Sequence, residues 1–347
     1  MTPEQIDVAM LADDVSLVVS LVLAEADSPW SETVGLAVAP QFARILHEGL
    51  DQLQRRRPDA AAALAVGWDE EIAIARHTVK LLDDNRKTVD SVVEEFDRIA
   101  RGHSAAFGAD NDFAFLESDG HVFASARLTS YQALASLDGA SATRTHDLGE
   151  SMGSRVIQLQ RSFGRPNTAL HNLPPLQASG PKLVQVSAAA FADSSYESAL
   201  PAGARDVAMF AECSVNAALH LFEPGERGLA SSVFRLRFVA VTHALSAVRQ
   251  LLDRFPPPSA SRSRAGLEAV LGSSEAQLLA GLRQLRNRSM HYGVPPKLNG
   301  VRVDRPGYGL VEATTGGVHS YSNVDTATRT VLANLADELH GWRTRRR

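Results

Sequence analysis

Phe234-Arg235-Leu236-Arg237-Phe238-Val239-Ala240-Val241-Thr242-His243-Ala244-Leu245-Ser246-Ala247-Val248-Arg249-Gln250-Leu251-Leu252 is the stretch on which the fold turns. Phe234, Phe238, Val241, Leu245, Val248 and Leu252 follow one another at steps of four and three. That spacing returns an apolar side chain to one face on every helical turn. It makes an unbroken heptad-like seam, suited to a helical bundle or a dimer interface. Pro256-Pro257-Pro258 ends the helix, and a Ser/Arg-rich loop is expected up to Arg264.

Three more helices read out from this one. One spans 204–222 and stops before Pro224-Gly225. Another starts near Ser274, where Ser274 and Gln277 form a capping-box pattern. It packs through Leu278, Leu282 and Leu285 and ends at Gly293-Val294-Pro295-Pro296. Residues 301–321 predict short strands around Thr315-Gly316-Gly317. The last helix, 324–342, presents Val324, Val331, Leu335, Leu339 and Trp342. Residues 201–347 therefore predict an antiparallel four-helix bundle with a small β insertion.

Residues 1–200 also predict a largely helical region. Helices are expected over 4–25, 38–56, 68–101 and 149–162, from apolar stripes such as Phe42, Ile45, Leu46, Leu50 and Leu53. Pro58 stops the second. Over 112–127 the period changes to two, and Ser118-Asp119-Gly120 marks a β-hairpin turn. Residues 164–181 hold four prolines and two glycines and read as a loop. The domain boundary is expected between that loop and Pro201. The fold class is mostly α.

Composition bounds the function. The apolar fraction of 44% and charged fraction of 22% fit an ordinary globular protein rather than a disordered chain. The single cysteine, Cys213, excludes an internal disulfide and any Cys-rich zinc site. The apolar run Val15 to Ala24 is too short to span a membrane, and the N-terminus lacks the positive region of a signal peptide. A cytoplasmic protein without membrane or cofactor is the expectation. Net charge is −5, yet residues 232–347 carry 17 Lys+Arg against 8 Asp+Glu, a balance of +9, which leaves −14 for residues 1–231. Two readings stay open: the basic part meets a polyanion, or the two parts neutralise each other in the fold.

The chemistry concentrates at Leu285-Arg286-Asn287-Arg288-Ser289-Met290-His291-Tyr292, at the end of a predicted helix. RNA is cut without a metal when its 2′-hydroxyl attacks the neighbouring phosphate. A base takes the hydroxyl proton and an acid protonates the leaving 5′-oxygen. Histidine suits both tasks, and a guanidinium matches two phosphate oxygens of the charged transition state. Asn287 and His291 are four apart and are expected on one helix face. Arg286 lies about 140° from His291 on an ideal helix, within reach of its long side chain. Asn287 would orient the His or hold a phosphate oxygen. Arg283, Arg288 and Tyr292 are the expected flanking contacts to RNA. The looser match Arg165 to His171 falls in the Pro-broken loop and is set aside.

The spacing Arg, four residues, His, with a polar residue after the Arg, resembles the signature of the HEPN superfamily over roughly the last 140 residues. The resemblance implies a helical-bundle ribonuclease with Arg286 and His291 as the catalytic pair. Asn287 would be the polar residue that commonly follows the Arg. It also implies a composite site at a homodimer interface, which would supply a second His, and a place among bacterial toxins or antiphage effectors. A regulatory partner or antitoxin would then go with it. Many small HEPN toxins carry a Tyr two residues after the His; here Tyr292 follows directly and Gly293 holds that position, so no role tied to that Tyr is carried over.

Two rival readings come from other classes. The bundle would serve only as an RNA-binding, protein-binding or dimerisation module. Alternatively, Gly149-Glu150-Ser151-Met152-Gly153 fits the G-x-S-x-G elbow of a serine hydrolase, which needs a strand before Ser151 and a helix after it.

Overall fold

Thr2 opens the first helix of the computed structural model. Its hydroxyl accepts from the Gln5 N–H, and the Gln5 side chain accepts from the Thr2 N–H. This reciprocal cap sets the start of α1 (Pro3–Ala24). The structure describes residues 2–69, 72, 88–132, 142–163, 173, 176, 180–196, 200–222, 229–256, 261–295 and 298–344. Most of the expected helix before residue 88, the Arg165 to His171 match and Arg345 to Arg347 lie outside them.

The second helix, α2 (Ser31–Arg56), begins earlier than its apolar stripe predicts and runs through Pro40. Proline removes the N–H that would bond the Leu36 carbonyl. Burial of Val34, Val38, Ile45, Leu46 and Leu53 offsets that loss. Pro58 sits in the first turn of α3 (Pro58–Ala65), where its missing N–H does no harm. Thr88 caps α4 (Val89–Phe107), which buries Val92, Val93, Phe96 and Ile99.

The hairpin forms as its turn predicts. β1 (Phe113–Ser118) and β2 (His121–Ser125) pair antiparallel, with Ser118 opposite His121. Asp119 and Gly120 both take positive φ, as a two-residue hairpin turn requires. β3 (Lys182–Val186) adds to the other edge of β1, giving the order β2-β1-β3. Between the strands lie α5 (Ala126–Gln132) and α6 (Ala142–Ser162), and α7 (Ala188–Ser194) follows β3. The Gly149 to Gly153 segment is interior to α6. No strand leads into Ser151, so the hydrolase elbow is not formed.

The seam of residues 234–252 lies on α9 (Ala230–Arg254). It follows α8 (Ala202–Asn216), which ends in a π turn, Ala217–Leu221. Phe234, Phe238, Val241, Leu245 and Val248 are all buried. Three expectations downstream need correcting. Part of the Ser/Arg-rich loop is helix α10 (Arg262–Gly272), started by the Ser261 hydroxyl on the Arg264 N–H. The helix expected from Ser274 is two, α11 (Ser274–Gly281) and α12 (Arg283–Met290), and its cap is Ser273. The β insertion at 301–321 is instead a 3-10 turn, Pro306–Gly309, leading into α13 (Leu310–Thr315). Gly307, Tyr308 and Gly309 all take left-handed φ, which no strand accommodates. The last helix, α14 (Tyr321–Thr344), buries Val324, Val331, Leu335, Leu339 and Trp342 as expected.

The described residues form 14 α-helices and one three-stranded sheet, so the mostly helical expectation holds. α8 is the central element, packed on α4, β2, α9 and α14. One apolar cluster extends from Ile6 on α1 to Trp342 on α14. A second joins Trp30, Val34 and Val38 to Phe123, Phe222 and Leu236. Apolar contacts thus cross position 200 throughout the molecule.

Candidate functional site

At Leu282 the backbone leaves helical geometry, with φ −82° and ψ 46°, and this separates α12 from α11. α12 buries Leu285, Ser289 and Met290 and leaves Arg283 and Asn287 exposed and Arg286 and Arg288 half-buried. Its basic side therefore faces outward at one end of the molecule's core.

Two arginines from distant helices hold the end of α12. The Ser289 carbonyl accepts from Arg235 Nη2 at 3.0 Å and lies 3.4 Å from Arg44 Nη1. A helix C-terminus carries partial negative charge, so the guanidiniums are well placed. Asp14 of α1 sits between them, its Oδ2 accepting at 2.8 Å from Arg44 and 3.1 Å from Arg235. The same oxygen accepts from the Tyr292 hydroxyl at 2.8 Å, and Oδ1 accepts from Ser232 at 2.7 Å. Burial alone would raise the Asp14 carboxyl; Arg235, Arg44 and the two hydroxyls bring it below its usual value. Burial, with Asp14 beside it, pushes the Tyr292 phenol far up.

The chain after the helix is pinned by a second carboxylate. Asp7 Oδ1 accepts from the Gly293 and Val294 N–H groups, each at 2.9 Å, and its other oxygen pairs with Arg56. Gly293 has φ +122°, and a Cβ there would lie 2.6 Å from the Gln52 amide nitrogen. Only glycine fits that approach.

His291 lies between these two anchors. Its N–H closes the last turn of α12 on the Asn287 carbonyl at 3.1 Å, but its own backbone is extended, with φ −106° and ψ 143°. His291 is thus the cap of α12, one turn beyond Asn287. Its imidazole is turned to α2, where Nδ1 bonds Glu48 Oε2. The other oxygen, Oε1, bonds Nδ1 of His47 at 3.0 Å. Glu48 is 2% exposed, whereas the His47 and His291 side chains are 27% and 39% exposed. Burial would raise the Glu48 carboxyl, but hydrogen bonds and charge from His291 and His47 hold it at about 2. An ionised carboxylate only accepts. Each imidazole therefore carries its proton on Nδ1 when neutral and keeps the Nε2 lone pair.

Of the residues expected to act, Arg286, Asn287 and His291 lie within one turn of α12 and its cap. Arg283 is exposed. Arg288 donates from Nη1 to the Gly293 carbonyl at 2.9 Å and braces the turn below the helix. Tyr292 is a correction: at 2% exposure, with its hydroxyl on Asp14, it is a buried strut and offers no surface to RNA. A nearby cleft bordered by Pro40, Gln41, Arg44, Phe210, His243 and Met290 contains none of Arg286, Asn287 and His291.

Sequence reasoning missed Asp7, Asp14, Arg44, His47, Glu48 and Arg56. A signal was present in their spacing. Asp7 and Asp14 recur seven apart on α1, and Arg44 and Glu48 four apart on α2, so charges repeat on faces that are otherwise apolar. Ion pairs also cross between the acidic and basic parts of the chain, Asp14 with Arg235 and Glu117 with Arg343 at 3.2 Å. Part of the charge separation is thus internal neutralisation.

Among the described residues no group of three or more His, Cys, Asp or Glu side chains is arranged to hold a metal ion. None of the described helices is long and apolar enough to cross a membrane. Comparison with protein-family models, curated proteins and solved structures returns no match.

Proposed function

We propose that this protein is an endoribonuclease that cuts RNA through its own side chains, without a metal ion. Arg286, Asn287 and His291 form the site. In this reading α8, α9, α11 with α12, and α14 make a HEPN-type antiparallel bundle, and residues 1–200 regulate and complete it. The observation that carries the reading is the buried Glu48 carboxylate bound to Nδ1 of the half-exposed His291, at the end of the Arg-rich helix α12. A carboxylate behind an imidazole fixes its tautomer and orients the ring. Nε2 is left for a proton on a polyanion drawn to Arg283, Arg286 and Arg288.

The reaction joins the RNA 2′-oxygen to phosphorus and breaks the bond to the 5′-oxygen. It leaves a 2′,3′-cyclic phosphate and a 5′-hydroxyl. Arg286 would stabilise the charge that builds on the phosphate oxygens. The same reading places the protein in the cytoplasm as a toxin or antiphage effector, with a regulatory partner or antitoxin. A homodimer is the family's route to a second His. The test is cleavage of single-stranded RNA by the purified protein in EDTA, with cyclic phosphate ends. Both His291→Ala and Arg286→Ala should abolish it. Binding of RNA without cutting would favour the binding-module reading instead.

A further inference from the structure

Cleavage by 2′-hydroxyl attack needs two proton transfers, one from the 2′-oxygen and one to the 5′-oxygen. His291 performs one of them in a single pass. The same chain holds a second imidazole on the same carboxylate: His47 Nδ1 is 3.0 Å from Glu48 Oε1, while His291 holds Oε2. Both rings reach solvent, while Glu48 between them does not.

We propose that His47 is the second proton-transferring group, so that one chain carries a complete acid–base pair, His47 and His291, joined through Glu48. The proposal rests on the ribonuclease reading. Before reaction one ring is neutral and the other protonated. The neutral ring takes the 2′-hydroxyl proton at Nε2 as the 2′-oxygen bonds phosphorus. The protonated ring gives its Nε2 proton to the departing 5′-oxygen. One proton leaves the 2′-oxygen and one reaches the 5′-oxygen, so the pair ends with its protonation reversed and no other reactant is needed.

The geometry favours such a division of labour. Each Glu48 oxygen holds one ring through its Nδ1, so both imidazoles are fixed in place with Nε2 turned away from the carboxylate. Position matters as well. His47 sits on α2, which the Asp14–Arg44 and Asp7–Arg56 pairs fasten to α1 beside the end of α12. The two rings are therefore held by Glu48 between helices that buried ion pairs fasten together.

The experiment uses the full-length protein and a single-stranded RNA. His47→Gln should lower kcat by about 10²-fold or more, the usual effect of losing one acid or base. It should also remove one limb of the bell-shaped kcat–pH profile. Added imidazole should restore cleavage to His47→Ala, which a merely structural role would not allow. The wild-type rate per chain should not change on dilution. In parallel, nitrogen-15 NMR of the wild type at a pH where both rings are neutral should show both as Nδ1–H tautomers, and Glu48→Gln, whose amide keeps only one accepting oxygen, should release one of them. Cleavage by His47→Gln within threefold of wild type, alongside an inactive His291→Ala, would overturn the role of His47 and leave the ribonuclease reading intact. A rate per chain that falls on dilution would assign the second imidazole to another copy. If the wild type shows both tautomers and yet cuts no RNA, the ribonuclease reading itself falls, and the acid–base pair with it.

Discussion

His291 and Glu48 are 243 positions apart in the chain and share a hydrogen bond, Nδ1 to Oε2, that joins the end of α12 to the middle of α2. The residue with the strongest chemical promise in the C-terminal part is thus oriented by a residue from the N-terminal part. Position 200 is no divide for the site. The two ends of the chain build it together, and its energetics and its chemistry follow from the same buried groups.

Loss of activity and loss of stability should separate at this site. His291→Ala removes one of two partners from a buried carboxylate and should cost about 1–3 kcal/mol. Arg286→Ala, at a half-buried helical position, should lower the melting temperature less. Both should abolish RNA cleavage if the proposed function holds. Calorimetry beside a cleavage assay reads both effects. Equal melting temperatures for the two variants would contradict the orienting role of Glu48.

Asp14→Asn should be among the most destabilising single changes in the protein. It leaves Arg44 and Arg235 buried without their counter-charge, and breaking a buried ion pair on one side costs about 3–5 kcal/mol. Tyr292→Phe removes one hydrogen bond to the same carboxylate and should cost about 0.5–3 kcal/mol. Urea unfolding gives both values. A Tyr292→Phe loss as large as that of Asp14→Asn would mean that charge is not what holds the end of α12.

Acid should weaken the Glu48 contacts in a defined window. Its folded value of about 2 lies below the ordinary 4.5, so the folded state binds its proton more weakly than the unfolded chain does. The resulting stabilisation is complete above about pH 4.5 and is lost as pH falls toward 2. The stability gap between wild type and Glu48→Gln should be largest above pH 4.5 and should narrow below it. Melting temperatures across pH 2–7 check this, and a gap that widens in acid would reverse the sign of the argument.

Residues 201–347 alone should not form a cooperatively folded unit. Without residues 1–200, Arg235 and Tyr292 lose Asp14, and the apolar surfaces of α8 and α9 lose the partners that bury them. The isolated fragment should aggregate or melt without a sharp transition, and co-expression with residues 1–200 should recover soluble protein. A monomeric fragment with a sharp calorimetric transition would show that the C-terminal part carries its own core.

What the sequence by itself determined is the local pattern. The four-three spacing from Phe234 to Leu252 specifies a helix with one apolar face, and Asp119-Gly120 specifies a two-residue turn, because both depend on neighbours a few residues away. The chemical types at Arg286, Asn287 and His291 were legible for the same reason. Tertiary structure decided the rest. Gly307, Tyr308 and Gly309 turn left-handed rather than extending, and the Tyr308 hydroxyl reaches Asp13, a partner 295 positions away. Tyr292 is buried with its hydroxyl donating to Asp14, and the ring of His291 at the end of α12 is held by Glu48. Sequence periodicity registers which side of a helix is apolar. It does not register which distant carboxylate will meet a given imidazole, since that depends on how two helices cross after the core has closed.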